Sequence, residues 1–132
     1  MDKNMMKLDE KISNMLLQMG ATPNLSGYHY LKEGIIIVLM KNSSLKGIMD
    51  IYGHIAQHFD SNTGRVERNI RNLIDIIWAL NRINVINECL GVRVFNSVEK
   101  PTNGQFIYIF ADRLSRQFFF NEDGDCFVIS KW

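Results

Sequence analysis

The chain has 132 residues, 46% of them hydrophobic and 22% charged, with a formal net charge of +1. That length suits one domain with one core, and that balance excludes a disordered chain. The small net charge excludes a polycation, so any nucleic-acid contact must gather basic groups on one face. The longest apolar run, Ile35 to Met40, falls far short of a membrane span. The start, MDKNMMKLDEK, has no apolar signal core and no small-residue cleavage site, so a non-exported, cytoplasmic protein is expected. Cys89 and Cys126 form no metal-type pair; both are expected to be reduced, with Cys89 buried.

Leu8, Ile12, Met15, Leu16 and Met19 recur at helical spacing and Gly20 supplies a stop, which predicts a first helix over about Lys3 to Met19. ATPNLSG carries turn chemistry. YHYLKEGIIIVLM is rich in Ile, yet it is long for a strand and Tyr28, Leu31, Ile35, Val38 and Leu39 fit helical spacing, so it predicts a helix weakened by Gly34. Ser43 or Ser44 is expected to cap a short helix through Met49. IYGHIAQHF then places Ile51, Ile55 and Phe59 on one face, before the polar turn Asp60–Asn62.

Val66, Ile70, Leu73, Ile74 and Ile77 form a continuous stripe, predicting a helix from Asn62 to about Leu80 that packs on Ile51, Ile55 and Phe59. INVINECL, stopped by Gly91, is a further helix, VRVFNSVEKPTNG is irregular, and GQFIYIFADRL is a closing helix capped by Thr102 or Asn103. The tail RQFFFNEDGDCFVISKW has apolar runs on either side of Asp123–Gly124, a hairpin signal. The expected whole is all-α, about six helices over residues 1–117, with a tail over 118–132 that forms a short β-hairpin or else is a disordered or docked tail.

IYGHIAQHFDSNTGRVERNIRNLIDIIW has the layout of a helix-turn-helix, whose second helix can enter a DNA major groove. At about 100° per residue, Arg68 lies nearly opposite the apolar stripe, flanked by Arg71 on one side and by Arg65 and Asn72 on the other. Glu67 sits at the edge of that face, within i,i+4 reach of Arg71. Arginine can donate twice to guanine and glutamate can accept from cytosine N4. Asn62 and Thr63, at the positive end of the helix dipole, are phosphate candidates, and Arg71 is a candidate backbone anchor. Arginine-rich amphipathic helices are also common on ordinary surfaces, so pattern alone does not decide.

His54 and His58 are spaced i,i+4, but no carboxylate or cysteine completes a site nearby, so no metal is expected; a phosphate contact suits His58 better. NEDGD lacks the later ligands of a calcium loop. No nucleophile triad, phosphate loop or catalytic carboxylate pair stands out, so neither an enzyme activity nor a cofactor is expected. Trp78 is expected to pack in the core, and Asp112–Arg113 to be structural.

The segments GYHYLKEGI, IAQHF, RVERNIRNLIDIIW and KPTNGQFIYIFADRL resemble the C-terminal effector domain of the stage 0 sporulation protein A family, regulators of endospore formation, over roughly Ile12 to Leu114. The resemblance implies an all-helical fold that binds double-stranded DNA elements of the TGTCGAA type, often as tandem dimers, and regulates transcription with contact to the RNA polymerase sigma factor. It implies base-reading roles for Arg65, Glu67 and Arg68, and a family arginine at Arg71. The chain is too short to hold the family's receiver domain as well, so phosphorylation in cis is not expected to switch it. Gln57 and His58 stand where the family has two lysines, Thr63 and Gly64 replace a proline or an alanine–serine pair, and Asn72 replaces a histidine. Fewer phosphate-contacting cations predict weaker binding and a shallower salt dependence. The second expectation is a protein-interaction module that modulates a full-length regulator without strong DNA binding; Phe118–Phe120, Phe127 and Val128 either form its interface or simply cap the core, the more ordinary role.

Overall fold

A computed structural model describes residues 2–41 and 43–129. Among them the chain forms α1 (Lys3–Gln18), α2 (Ser26–Leu39), α3 (Ile48–His58), α4 (Thr63–Ala79), α5 (Ile83–Leu90), α6 (Asn103–Leu114), β1 (Phe118–Phe120) and β2 (Cys126–Val128). The fold is therefore mostly α with a short hairpin, as the periodicity and the Asp123–Gly124 signal predict. Ser130 to Trp132, the end of the tail, lie outside the described residues.

Helix α2 sits at the centre and packs on α1, α3, α4 and α6. Its Ile-rich run is helical because neighbours on several sides bury it, which answers the strand propensity of Ile and Val. Two glycines let those neighbours approach. At Gly34 an added Cβ would stand 3.4 Å from the Cδ1 atoms of both Ile107 on α6 and Ile55 on α3. At Gly27 it would overlap the backbone carbonyl of Asn69 on α4. The helix that carries the candidate DNA-facing residues is thus held at backbone contact with α2.

The hairpin is antiparallel, with Phe118 opposite Val128, Phe119 opposite Phe127 and Phe120 opposite Cys126. Phe118, Phe120 and Cys126 belong to the buried core, while Phe119 and Phe127 face outward. Asn4 on α1 donates from Nδ2 to the Cys126 carbonyl at 3.0 Å, which ties the two chain ends together. Arg113 donates to the Leu90 carbonyl at 2.9 Å and joins α6 to the end of α5, the structural role expected of it.

Three expectations change. Ser43 and Ser44 cap no helix: Lys41 ends α2 in a left-handed conformation (φ 53°), and α3 starts only after Gly47, as one helix that includes Ile48 and Met49. The Asp50 carboxylate, accepting from Lys46 N–H at 2.8 Å, organises that start instead of a serine hydroxyl. Phe59 is not a core residue beneath α4; at the C-cap of α3 it is 38% exposed and meets Tyr30 edge-on. Cys89 is half-buried, with its Sγ 3.1 Å from the side-chain oxygen of the exposed Gln18. Both cysteines are free, and Trp78 is 7% exposed in the core as expected.

The glycine contacts predict opposite outcomes for one substitution. Gly27→Ala must displace backbone and should lower stability by about 2 kcal/mol. Gly34→Ala meets only ordinary contact distances and should be neutral or gain up to about 1 kcal/mol from helix propensity. Urea midpoints of the two variants test this; an unchanged midpoint for Gly27→Ala would contradict the close approach.

Candidate nucleic-acid interface

The junction of α3 and α4 is a tight turn held by local hydrogen bonds. Asp60 takes a left-handed conformation (φ 52°), which short polar side chains tolerate better than most. Ser61 N–H then bonds back to the Ala56 carbonyl at 2.8 Å, the closing bond of a Schellman motif. Asn62 follows as the N-cap, its Oδ1 accepting from Arg65 N–H at 2.8 Å. Two helices are therefore joined by a short turn whose polar groups are used to end one helix and start the next.

Helix α4 divides as the periodicity predicts. Val66, Ile70, Leu73, Ile74 and Ile77 are buried. Arg65, Glu67, Arg68 and Asn72 are exposed, as are Asn62 and Thr63 at the helix start. Among the described residues Arg65, Glu67 and Arg68 take part in no ion pair, so their charged ends are available together on the first two turns.

Two of the predicted site residues are engaged elsewhere. Arg71 is half-buried; its Nη1 donates to the Pro101 carbonyl at 2.9 Å and its Nη2 lies 3.3 Å from Asp75. The expected Glu67–Arg71 pair is therefore not made. Pro101 is itself buried, and turning Arg71 toward Glu67 would take this donor from its carbonyl. His58 stands at the end of α3 with Nδ1 3.2 Å from the Glu33 carboxylate on α2.

Contacts that the sequence did not reveal hold α4 along one flank. Trp78 Nε1–H donates to the Asn96 carbonyl at 3.0 Å, and Lys100 meets Asp75 at 3.1 Å. Arg71 holds Pro101, and Asn103 Nδ2 donates to the Glu67 carbonyl at 3.1 Å. Positions 78, 75, 71 and 67 thus pair in turn with 96, 100, 101 and 103. Steps of three and four residues lie on one helix stripe, so the segment between α5 and α6 runs antiparallel along α4 as a splint. Phe95 anchors its first part, edge-on to Trp78 and stacked on Phe106, while the Asn87 side chain accepts from Val94 and Phe95 N–H and donates to the Phe95 carbonyl.

At the far end of the splint the Thr102 hydroxyl and the Gln105 side chain form a capping box that starts α6. Thr102 is the cap, which frees Asn103 to turn inward. Only 7% exposed, Asn103 donates a second bond, to Tyr52 Oη on α3, at 3.0 Å. Burial raises the pKa of the Tyr52 hydroxyl and the Asn103 bond lowers it in part. An open groove of about 650 Å³ lies beside this cluster, lined in part by Ile48, Tyr52, Glu67, Arg68, Arg71 and Asn103.

Fold and surface together define a small helical domain that presents an exposed arginine–glutamate–arginine set from a firmly held helix. The sequence model of the family described as sporulation initiation factor Spo0A C terminal matches residues 12–114, and the chain belongs to that family. It is a family of DNA-binding effector domains in sporulation transcription control, not of enzymes. The match ends with the last residue of α6, so β1 and β2 lie outside it. No helix among the described residues is long and apolar enough to cross a membrane.

The contacts separate two arginines that look alike in sequence. Arg71→Ala removes a donor from a buried carbonyl and should cost about 1–2 kcal/mol. Arg68→Ala, on an exposed face, should stay within about 0.5 kcal/mol of the parent. Chemical denaturation of both variants checks this; equal midpoints would show that the Arg71 clasp contributes nothing.

Proposed function

We propose that the domain reads double-stranded DNA with α4 as the recognition helix of a helix-turn-helix. Arg65 and Arg68 contact guanine edges or adjacent phosphates, and Glu67 accepts from cytosine or orients an arginine. Asn62, Thr63 and Asn72 line the approach to the DNA backbone, with His58 and Arg71 at its margins. The observation that carries this proposal is the exposed set Arg65, Glu67 and Arg68 on a helix whose opposite face is buried. The target is an element of the TGTCGAA type. On this proposal the domain works in the cytoplasm as a pair on tandem elements and meets the polymerase sigma factor.

Binding of a duplex carrying the element, against a scrambled duplex, at two salt concentrations tests the proposal. The parent should discriminate between them. Arg68→Ala should lose about 1–3 kcal/mol of that discrimination. A ratio near one, indifferent to Arg68→Ala, would sink base reading by this helix.

A second function, association with another protein, is favoured by the outer face of the hairpin. Phe119 and Phe127 are 49% and 45% exposed with ring centroids 6.4 Å apart. If this face binds a full-length regulator, the double variant Phe119→Ser with Phe127→Ser should abolish co-sedimentation with that regulator while leaving DNA binding intact. Unchanged co-sedimentation, or none by the parent, would remove this function.

A further inference from the structure

The splint ends on a buried amide that bridges α3 and α4. The Asn103 amide donates from Nδ2 to Tyr52 Oη on α3 and to the Glu67 carbonyl on α4, while its buried Oδ1 has no hydrogen-bond partner among the described residues. An unsatisfied buried acceptor lowers stability. What distinguishes this amide is what its donor half joins. It joins the two helices of the helix–turn–helix at the residue that sits between Arg65 and Arg68. At 7% exposure it has almost no surface to offer DNA.

We propose that Asn103 is a positioning residue for sequence discrimination. Its amide fixes the rotation and axial placement of the first two turns of α4 against α3, and so fixes where Arg65, Glu67 and Arg68 meet base edges. Apolar packing under Val66 and Ile70 is not directional and holds depth better than rotation. A two-donor amide is directional. Base-edge contacts tolerate little misplacement, so a loosened supporting group loses discrimination before it loses fold. This inference rests on α4 being the DNA-reading helix.

The test uses the full chain with Asn103→Leu, Asn103→Asp and Tyr52→Phe, two DNA duplexes (TGTCGAA-type and scrambled), and amide hydrogen exchange without DNA. Asn103→Leu should fold, with a denaturation midpoint lowered no more than that of Arg71→Ala. Its ratio of specific to scrambled binding should nevertheless fall about tenfold, with an unchanged salt slope and faster exchange in the first two turns of α4. Tyr52→Phe, which leaves the Glu67 bond in place, should move the ratio and the exchange in the same direction by less, and it carries the test if both Asn103 variants fail to fold. A ratio unchanged in folded variants overturns the proposal. So does a salt slope reduced by about one, which would make Asn103 a phosphate contact. If the parent itself shows a ratio near one, DNA reading by α4 fails separately, and the exchange measurement alone then decides the clamp: unchanged exchange overturns it.

Discussion

A helix that offers one face to a partner must be held by the others, and in this domain the hold on α4 comes from two unlike sources. Beneath it, Val66, Ile70, Leu73, Ile74 and Ile77 press on the core, and Gly27 admits α2 to backbone contact at Asn69. Along its flank the segment from Asn96 to Asn103 bonds to positions 78, 75, 71 and 67 in antiparallel order. Burial supplies most of the free energy, because each net hydrogen bond contributes only about 1 kcal/mol. The flank supplies direction. The two sources therefore do different work: the core decides that α4 is there, and the splint decides how it is turned.

This division also accounts for an apparent oddity of the sequence. The motifs RVERNIR and KPTN are about thirty residues apart, and each alone suggests a local feature: an amphipathic helix and a cap. In the fold they touch. Arg71 of the first grips the Pro101 carbonyl of the second, and Asn103 of the second grips the Glu67 carbonyl of the first. Their joint presence is one structural unit seen twice along the chain. The family match over residues 12–114 spans both.

Periodicity and end signals made the helices legible, because both are local. Asn62 caps α4 and Thr102 caps α6 as their residue types suggest, and the Asp123–Gly124 signal marks a true hairpin turn. The errors arose where a local signal met a distant partner. Ser43 and Ser44 look like caps, but the chain does not begin α3 until Gly47. Phe59 looks like the third residue of an apolar stripe, but the helix ends beneath it. Arg71 looks like one more outward arginine, and only the position of Pro101 turns it inward. The exposed set Arg65, Glu67 and Arg68 was legible because it depends only on the phase of its own helix. Asn103 was not, because nothing local says that a residue beside a cap will reach two other helices.

The charge arrangement makes that placement matter more. Asp75 takes both Arg71 and Lys100, and Glu33 takes His58, so three basic groups near α4 are already engaged. Arg65 and Arg68 remain as its exposed, unpaired cations among the described residues. With a net charge of only +1, the chain has little long-range field with which to gather DNA. Non-specific affinity scales with the number of phosphates neutralised, and few are within reach of two arginines. On the proposed reading, a DNA-binding domain built this way gains less from counterion release and depends more on base-edge contacts. Those contacts reward geometry rather than charge. If α4 reads DNA as proposed, a directional polar splint along its flank is what such a domain requires.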